Sequence, residues 1–211
     1  MAKPVCMSPT RLEAFSDGVF AIAITLLVLD IHVPDPTETA SLAAALGDQW
    51  PSYVAYAVSF LTIGIIWINH HAMIRRLAAV DHGLLTLNLL LLLLVALLPF
   101  TTALMAAYLR ETSGEHLAAA IYSGSCLLMG VAFAATNRHA LVVKPDLLAA
   151  PVSAARRRTI LIRAVAGVAP YAIATALAVV SPYASLAICG AVALYYALPF
   201  ATGEPTIAAP S

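Results

Sequence analysis

Charge is scarce in this sequence: Lys and Arg together number 11 and Asp and Glu 11 among 211 residues, so only 10% are charged and the net charge is zero. A soluble domain carries charge on about a quarter of its residues, and this chain cannot clothe such a surface. Nothing in the balance points to a nucleic-acid partner, and none is expected. Cysteine is scarce as well. Cys6, Cys126 and Cys189 are odd in number and the last two fall inside apolar segments, which leaves no disulfide framework and no thiolate metal site. They read as small apolar residues. The chain also lacks a paired-Asp motif, a His-Glu-x-x-His zinc motif and a Gly-x-Ser-x-Gly elbow, so an intramembrane enzyme is not expected, nor is a metal or organic cofactor. The Phe15-Ser16-Asp17 stretch has no second copy, so no internal repeat is evident.

What is present is apolar: 62% of residues are hydrophobic, and the mean hydropathy is +0.90. Apolar segments lie near 11–31, 52–74, 83–109, 117–137, 158–180 and 183–200. Each approaches the roughly 20 residues that cross about 30 Å of hydrocarbon. The expected fold is therefore all-α, a polytopic membrane protein with six transmembrane helices. Loops are short and the tails, Met1–Pro9 and Thr202–Ser211, are too small to fold alone, so residues 1–211 read as one integral domain.

Basic residues stay on the cytoplasmic side of a membrane. Lys3 and Arg11 precede the first segment, Arg75 and Arg76 join the second and third, and Arg138, Lys144, Arg156, Arg157 and Arg158 join the fourth and fifth. The opposite loops hold Asp35, Glu38, Asp48, Glu111 and Glu115, with Arg110 against the trend. Both termini are therefore placed in the cytoplasm and the chain in the cell membrane. Small residues at Ala43-Ala44-Ala45 lie too far beyond the first apolar core for a cleaved signal peptide, and the segment is read as retained.

Ser8-Pro9 is read as the N-cap and first residue of the first helix, and Pro51-Ser52 plays the same part for the second after Trp50. Pro34 and Pro36 stop the first helix. Pro99 and Pro170 fall within the third and fifth segments, where a missing N–H can kink a membrane helix or free a carbonyl.

The first segment is more than an anchor, because Arg11, Ser16 and Asp17 stand at its mouth and ionisable residues at that depth are costly unless they face protein or water. On a helical wheel Phe15, Gly18, Val19, Ile22, Thr25, Leu26 and Leu29 form one stripe, and Asp17, Ala21, Ile24 and Val28 another. The first stripe fits either a narrow, mostly hydrophobic ion path with Thr25 as its one hydroxyl, or packing against helices or lipid. Periodicity alone favours packing. Asp17 is expected to point into the protein. Trp67, Asn69, His70 and His71 end the second segment, and Asp81, His82 and Asn88 begin the third at the same cytoplasmic depth. A network joining Ser16 and Asp17 to His70 or His71 and Asn88 would satisfy these groups in a low dielectric. Proton sensing ranks second for the histidines and metal binding third, since adjacent helical residues point about 100° apart.

The run Arg11-x-x-x-Phe15-Ser16-Asp17, followed by Gly18-Val-Phe-Ala-Ile-Ala-Ile-Thr-Leu-Leu-Val-Leu-Asp30, resembles the first-helix signature of the TMEM175 family of potassium channels. The segments Trp67–His71 and Asn88 to Pro99-Phe100-Thr101 resemble that family's second and third helices. The resemblance implies a cation channel without the usual filter, and no Thr-Val-Gly-Tyr-Gly is present. It further implies a homotetramer in the lipid bilayer with the first helices lining a central pore. Ile22 then takes the place of the hydrophobic constriction, with Leu26 and Leu29 beyond it and Thr25 at a position linked to selectivity. Potassium would be the permeant ion. Asp30, with Asp35 and Glu38 beyond, would raise the cation concentration at the outer mouth, although solvated loop carboxylates are the plainer reading of Asp35 and Glu38. Arg11, Phe15, Ser16, Asp17, Trp67, His70, His71 and Asn88 would form the structural network of the signature. A proton-coupled transporter relaying through Asp17 and His70 and a pure scaffold are the alternatives.

Overall fold

The computed structural model describes residues 8–37 and 41–197, so Lys3, Cys6 and Glu38 lie outside the described residues. Helix α1 (Pro9–Leu26) starts behind Ser8, with Pro9 in its first turn, and tightens into a 3-10 turn over Leu27–Asp30. It thus ends well before Pro34. A short helix α2 (Leu42–Asp48), capped by the Ser41 hydroxyl, follows. The sequence reading missed it and saw only a run of small residues there. Helix α3 spans Trp50–Ile74 and is N-capped by Gln49, so Trp50 rather than Pro51 is its first residue. Helix α4 spans His82–Tyr108, and α5 spans Glu115–Arg138 before widening into a π turn over His139–Val143.

The fifth expected span differs most. It begins earlier than read, since Arg156, Arg157 and Arg158 belong to the first turns of α6 (Ala154–Ala166) and not to a loop. It then breaks, and α7 (Val168–Leu177) follows after Gly167. Pro170 accounts for the break: its ring crowds the carbonyl four residues back, that of Ala166, and supplies no N–H to it. Pro99, by contrast, sits within an unbroken α4. Helix α8 covers Pro182–Ala197. Among the described residues, five stretches are long and apolar enough to cross a membrane, Pro9–Asp30, Trp50–Ile74, His82–Tyr108, Glu115–Val143 and Ala154–Leu177. The 16 described residues of α8 reach only about 24 Å at the usual helical rise.

Helix α4 lies at the centre, packed against α1, α3 and α5, with α7 and α8 behind α5. Its run of leucines is sorted by helical period: Leu91, Val95, Leu98 and Met105 are buried, whereas Leu89, Leu93 and Leu97 face outward. The main core joins these to Phe20, Leu27, Ile63, Tyr122 and Met129. A smaller core of Leu12, Met73, Ile74, Leu77, Val80, Leu84, Ala140 and Leu147 closes one end. There the two connections between helices pair as a single antiparallel bridge, Leu77 with Leu148. The Ala78 N–H donates to the Leu147 carbonyl at 2.8 Å and the Ala149 N–H to that of Arg76 at 2.9 Å. Arg11, Arg75, Arg76, Arg138, Lys144 and Arg156–Arg158 gather at this end. Arg110, paired with Asp48 at 3.8 Å, marks the other.

Candidate functional site

Helix α1 presents three faces. Leu12, Ser16, Phe20 and Ala23, spaced three or four apart, face the bundle and are buried. Among them Ser16 is fully covered, as are His70 on α3 and Asn88 on α4. The Asn88 Nδ2 donates to the Ser16 Oγ at 3.1 Å, and the Ser16 hydroxyl donates to the Leu12 carbonyl at 2.8 Å. The other end of the amide, Asn88 Oδ1, lies 2.7 Å from His70 Nε2. Donor roles follow from the chemistry. The serine proton is committed to a carbonyl, so its oxygen must accept from the amide, and the amide oxygen must then accept from the ring. His70 therefore carries a proton on Nε2, and its buried Nδ1 has no hydrogen-bond partner among the described residues. Phe20 lies against the ring, with centroids 5.3 Å apart.

The network read from the sequence as one unit is split. Asp17 does not reach His70 or Asn88, and it does not point into the core. It stands half-exposed where α1 meets α3 and accepts from the Trp67 indole N–H at 2.8 Å. The physical reason is angular, since Asp17 is turned about 100° from Ser16 on the helix. The same divergence separates the histidines: His70 enters the bundle while His71 Nδ1 meets Glu13 Oε1 at 2.8 Å. Arg11 and Phe15 stay exposed on the single chain. Asp17, Ala21 and Ile24 line an open groove with Ile63, Gly64 and Trp67, about 370 Å³ in volume.

The third face of α1 is left uncovered. Ile22 is 62% exposed, Leu26 42% and Leu29 69%, and Thr25 and Gly18 are exposed beside them. Thr25 donates its hydroxyl back to the Ala21 and Ile22 carbonyls at 3.0 and 2.9 Å, which turns its oxygen outward as an acceptor. Beyond the helix, Asp30 is half-buried, its carbonyl accepting from His32 Nδ1 at 3.1 Å, while the His32 N–H donates to Gln49 Oε1 at 3.1 Å. Asp35 folds back on its own turn, taking the Thr37 N–H at 2.8 Å.

Two polar groupings were not anticipated. Asp81 caps α4 by accepting the Leu84 N–H at 2.8 Å, and its two carboxylate oxygens share His139 Nε2 at 3.0 Å each. Burial pushes the Asp81 carboxyl up, but the Leu84 N–H, His139 and the charge of Lys144 outweigh it and hold the group below its ordinary value. Gly83 makes the contact possible, for a Cβ there would lie 2.7 Å from His139 Cε1. The glycine following Asp81-His82 was the available signal. In mid-bundle, Ser59 bonds Thr102 at 2.8 Å and the Tyr122 hydroxyl at 2.9 Å, and Thr101 bonds Ser125 at 3.1 Å. Hydroxyls in otherwise apolar helices were the signal there. Among the described residues no group of three metal-ligating side chains forms.

The profile of a family described as the endosomal/lysosomal potassium channel TMEM175 matches residues 11–99. A potassium channel of Streptomyces collinus is 50% identical over 88% of this chain and 90% of its own length. The human endosomal/lysosomal proton channel TMEM175 is 39% identical over 52% of this chain and 23% of its own. Among solved structures, a lysosomal potassium-selective channel TMEM175 homolog from Chamaesiphon minutus superimposes with a TM-score of 0.81 at 37% identity, covering 93% of this chain and 98% of that one.

Proposed function

The chain belongs to the TMEM175 family, and from that membership we propose that it is a potassium-permeable channel whose pore is walled by the first helices of several copies. The family is one of ion channels and not of enzymes. The observation that carries the reading is the uncovered face of α1. Ile22, Thr25, Leu26 and Leu29 lie on the side away from Ser16 and Phe20, apolar but for one outward hydroxyl. A single helix cannot enclose a path, so the reading needs an oligomer, and four copies is the number the family resemblance implies. Ile22 is proposed as the constriction, where potassium crosses partly dehydrated, with the Thr25 oxygen lowering the local barrier.

Asp30 is proposed to concentrate cations at the outer mouth by its charge. The end that gathers the arginines is then the cytoplasmic one and the membrane is the cell membrane. Residues 1–211 act as one channel domain. The transporter reading asks for a relay from Asp17 to His70, yet these two share no hydrogen bond. His70 instead meets the amide of Asn88, which has no ready proton to pass on. The signature residues Ser16, His70 and Asn88, together with Asp17 and Trp67, are proposed to hold α1 in place.

The test is electrical. Purified protein in liposomes under opposing potassium and sodium gradients should give currents that reverse toward the potassium equilibrium potential. Silence at verified incorporation and across pH would remove the channel reading and leave the family likeness a matter of fold.

A further inference from the structure

The open groove of about 370 Å³ between α1 and α3 takes no part in the ion path. On α1 it is lined by Asp17, Phe20, Ala21 and Ile24, spaced three or four apart down one side. At 3.6 residues per turn these positions are turned roughly 100–160° from Ile22, so the groove opens sideways from the uncovered face. Ile63 and Phe20 are buried and form its floor. Gly64 keeps it open, for a Cβ there would meet no heavy atom within 4 Å.

One charged residue lines the groove, at one end of it. Asp17 Oδ1 accepts from the Trp67 indole N–H at 2.8 Å, whereas Oδ2 takes no hydrogen bond or ion pair among the described residues. An incoming cation therefore displaces nothing. Trp67 is itself 41% exposed, and an indole face attracts a cation brought beside it. From Asp17 the α1 wall runs seven residues to Ile24, about 10 Å of helix, and is apolar beyond the carboxylate. A metal cation would leave that apolar length unused. An uncharged chain would leave Asp17 without a counter-charge, and a phosphate headgroup would be repelled by it.

We propose that this groove binds a cationic amphiphile, a lipophilic amine whose ammonium pairs with Asp17 beside Trp67 and whose alkyl chain lies over Phe20, Ala21, Ile24 and Ile63. The ammonium supplies Oδ2 with a charge-assisted hydrogen bond, and the tail covers apolar wall. The site stands apart from the ion path and does not depend on the channel reading.

The sequence holds two tryptophans, so Trp50→Phe leaves Trp67 as the one indole reporter. This variant in phosphatidylcholine nanodiscs, titrated with dodecylamine or with dodecanol, tests the proposal through Trp67 emission. Dodecylamine should give a saturable change at a concentration at least about tenfold below that of dodecanol, the usual worth of a hydrogen bond to a charged group. Asp17→Asn should remove this preference. Because that change also weakens the seat of α1, Gly64→Leu provides the second arm: it fills the groove, leaves Asp17 in place and should abolish the saturable response. Ala57→Leu, at an exposed position in the uncharged groove of Tyr56, Ala57, Phe60 and Leu61, should leave it unchanged. An absent or unsaturable response, as a second copy covering the groove or mere partition into the bilayer would give, overturns the proposal. So does equal response to dodecanol, or a response that survives Gly64→Leu. Methylammonium competing at equal concentration would mark a simple cation site and overturn the amphiphile assignment.

Discussion

His70 and Asn88 are joined by a 2.7 Å hydrogen bond in a wholly buried setting, and its direction is fixed from outside the pair, by a serine proton that can go only to the Leu12 carbonyl. Three helices are thereby locked in one register at the depth where α1 enters the bundle. A side chain that removes the amide leaves the buried His70 ring without a partner and the Ser16 oxygen with only its bond to the Leu12 carbonyl.

Asn88→Leu should accordingly destabilise the protein by about 1–3 kcal/mol, the usual cost of stranding buried polar groups. Thermal unfolding in detergent, followed by far-ultraviolet circular dichroism, measures it. A variant as stable as wild type would show that the register is held by apolar packing alone.

Trp67→Phe and Asp17→Ala each break the 2.8 Å bond between α1 and α3. The double variant should be little worse than either single one, with a coupling of about 0.5–1.5 kcal/mol in a double-mutant cycle. Strict additivity would mean that the two groups do not act together. In currents, both variants should alter assembly or gating more than the choice of ion.

Ile22→Asn places an amide on the uncovered face of α1 without touching the bundle, since the side chain is 62% exposed. Stability should change little, within about 0.5 kcal/mol, whereas conductance should rise and discrimination between potassium and sodium fall. Unaltered currents would remove Ile22 from the constriction.

Gly83→Ala drives a methyl group to 2.7 Å from the His139 ring and so evicts His139 from Asp81. A loss of about 1–2 kcal/mol is expected, within the usual range for overpacking. Most of it should vanish in a His139→Ala background, where the room is free. An equal loss in both backgrounds would place the fault in the helix backbone.

Asp81 also sets a pH dependence. Its folded carboxyl lies below the ordinary value of 3.8, so the folded state favours the charged form. The stabilisation is present in full above that value and is lost as pH falls through the lower folded one. The protection of the Leu84 amide, its exchange rate relative to the intrinsic rate at each pH, should be high at neutral pH and fall only in strong acid. In Asp81→Asn the protection should already be lower at neutral pH and show no further step in acid.

Much of this was legible in the sequence, and the gaps have physical causes. Apolar runs of membrane length located α1, α3, α4 and α5, because hydrocarbon thickness dictates length. Ser16, His70 and Asn88 could be grouped because alternating spans put them at one depth. Depth does not give azimuth, however, and Asp17 therefore parted from Ser16 toward Trp67. The α6–α7 break turned on whether Pro170 breaks its helix, as Pro99 does not break α4. The neighbours that decide this are distant in sequence. Contacts such as Asp81 with His139, 58 residues apart, leave no periodic trace.

The bridge of Leu77 with Leu148 joins two connections that lie some seventy residues apart in the chain. It works as a clasp. The end of α3, the start of α4 and the approach to α6 cannot be drawn apart without parting backbone hydrogen bonds over the small Leu12 core. The outermost helix is thereby tethered mechanically to the region that seats α1, and a pull on one is transmitted to the other through main chain as well as through side chains.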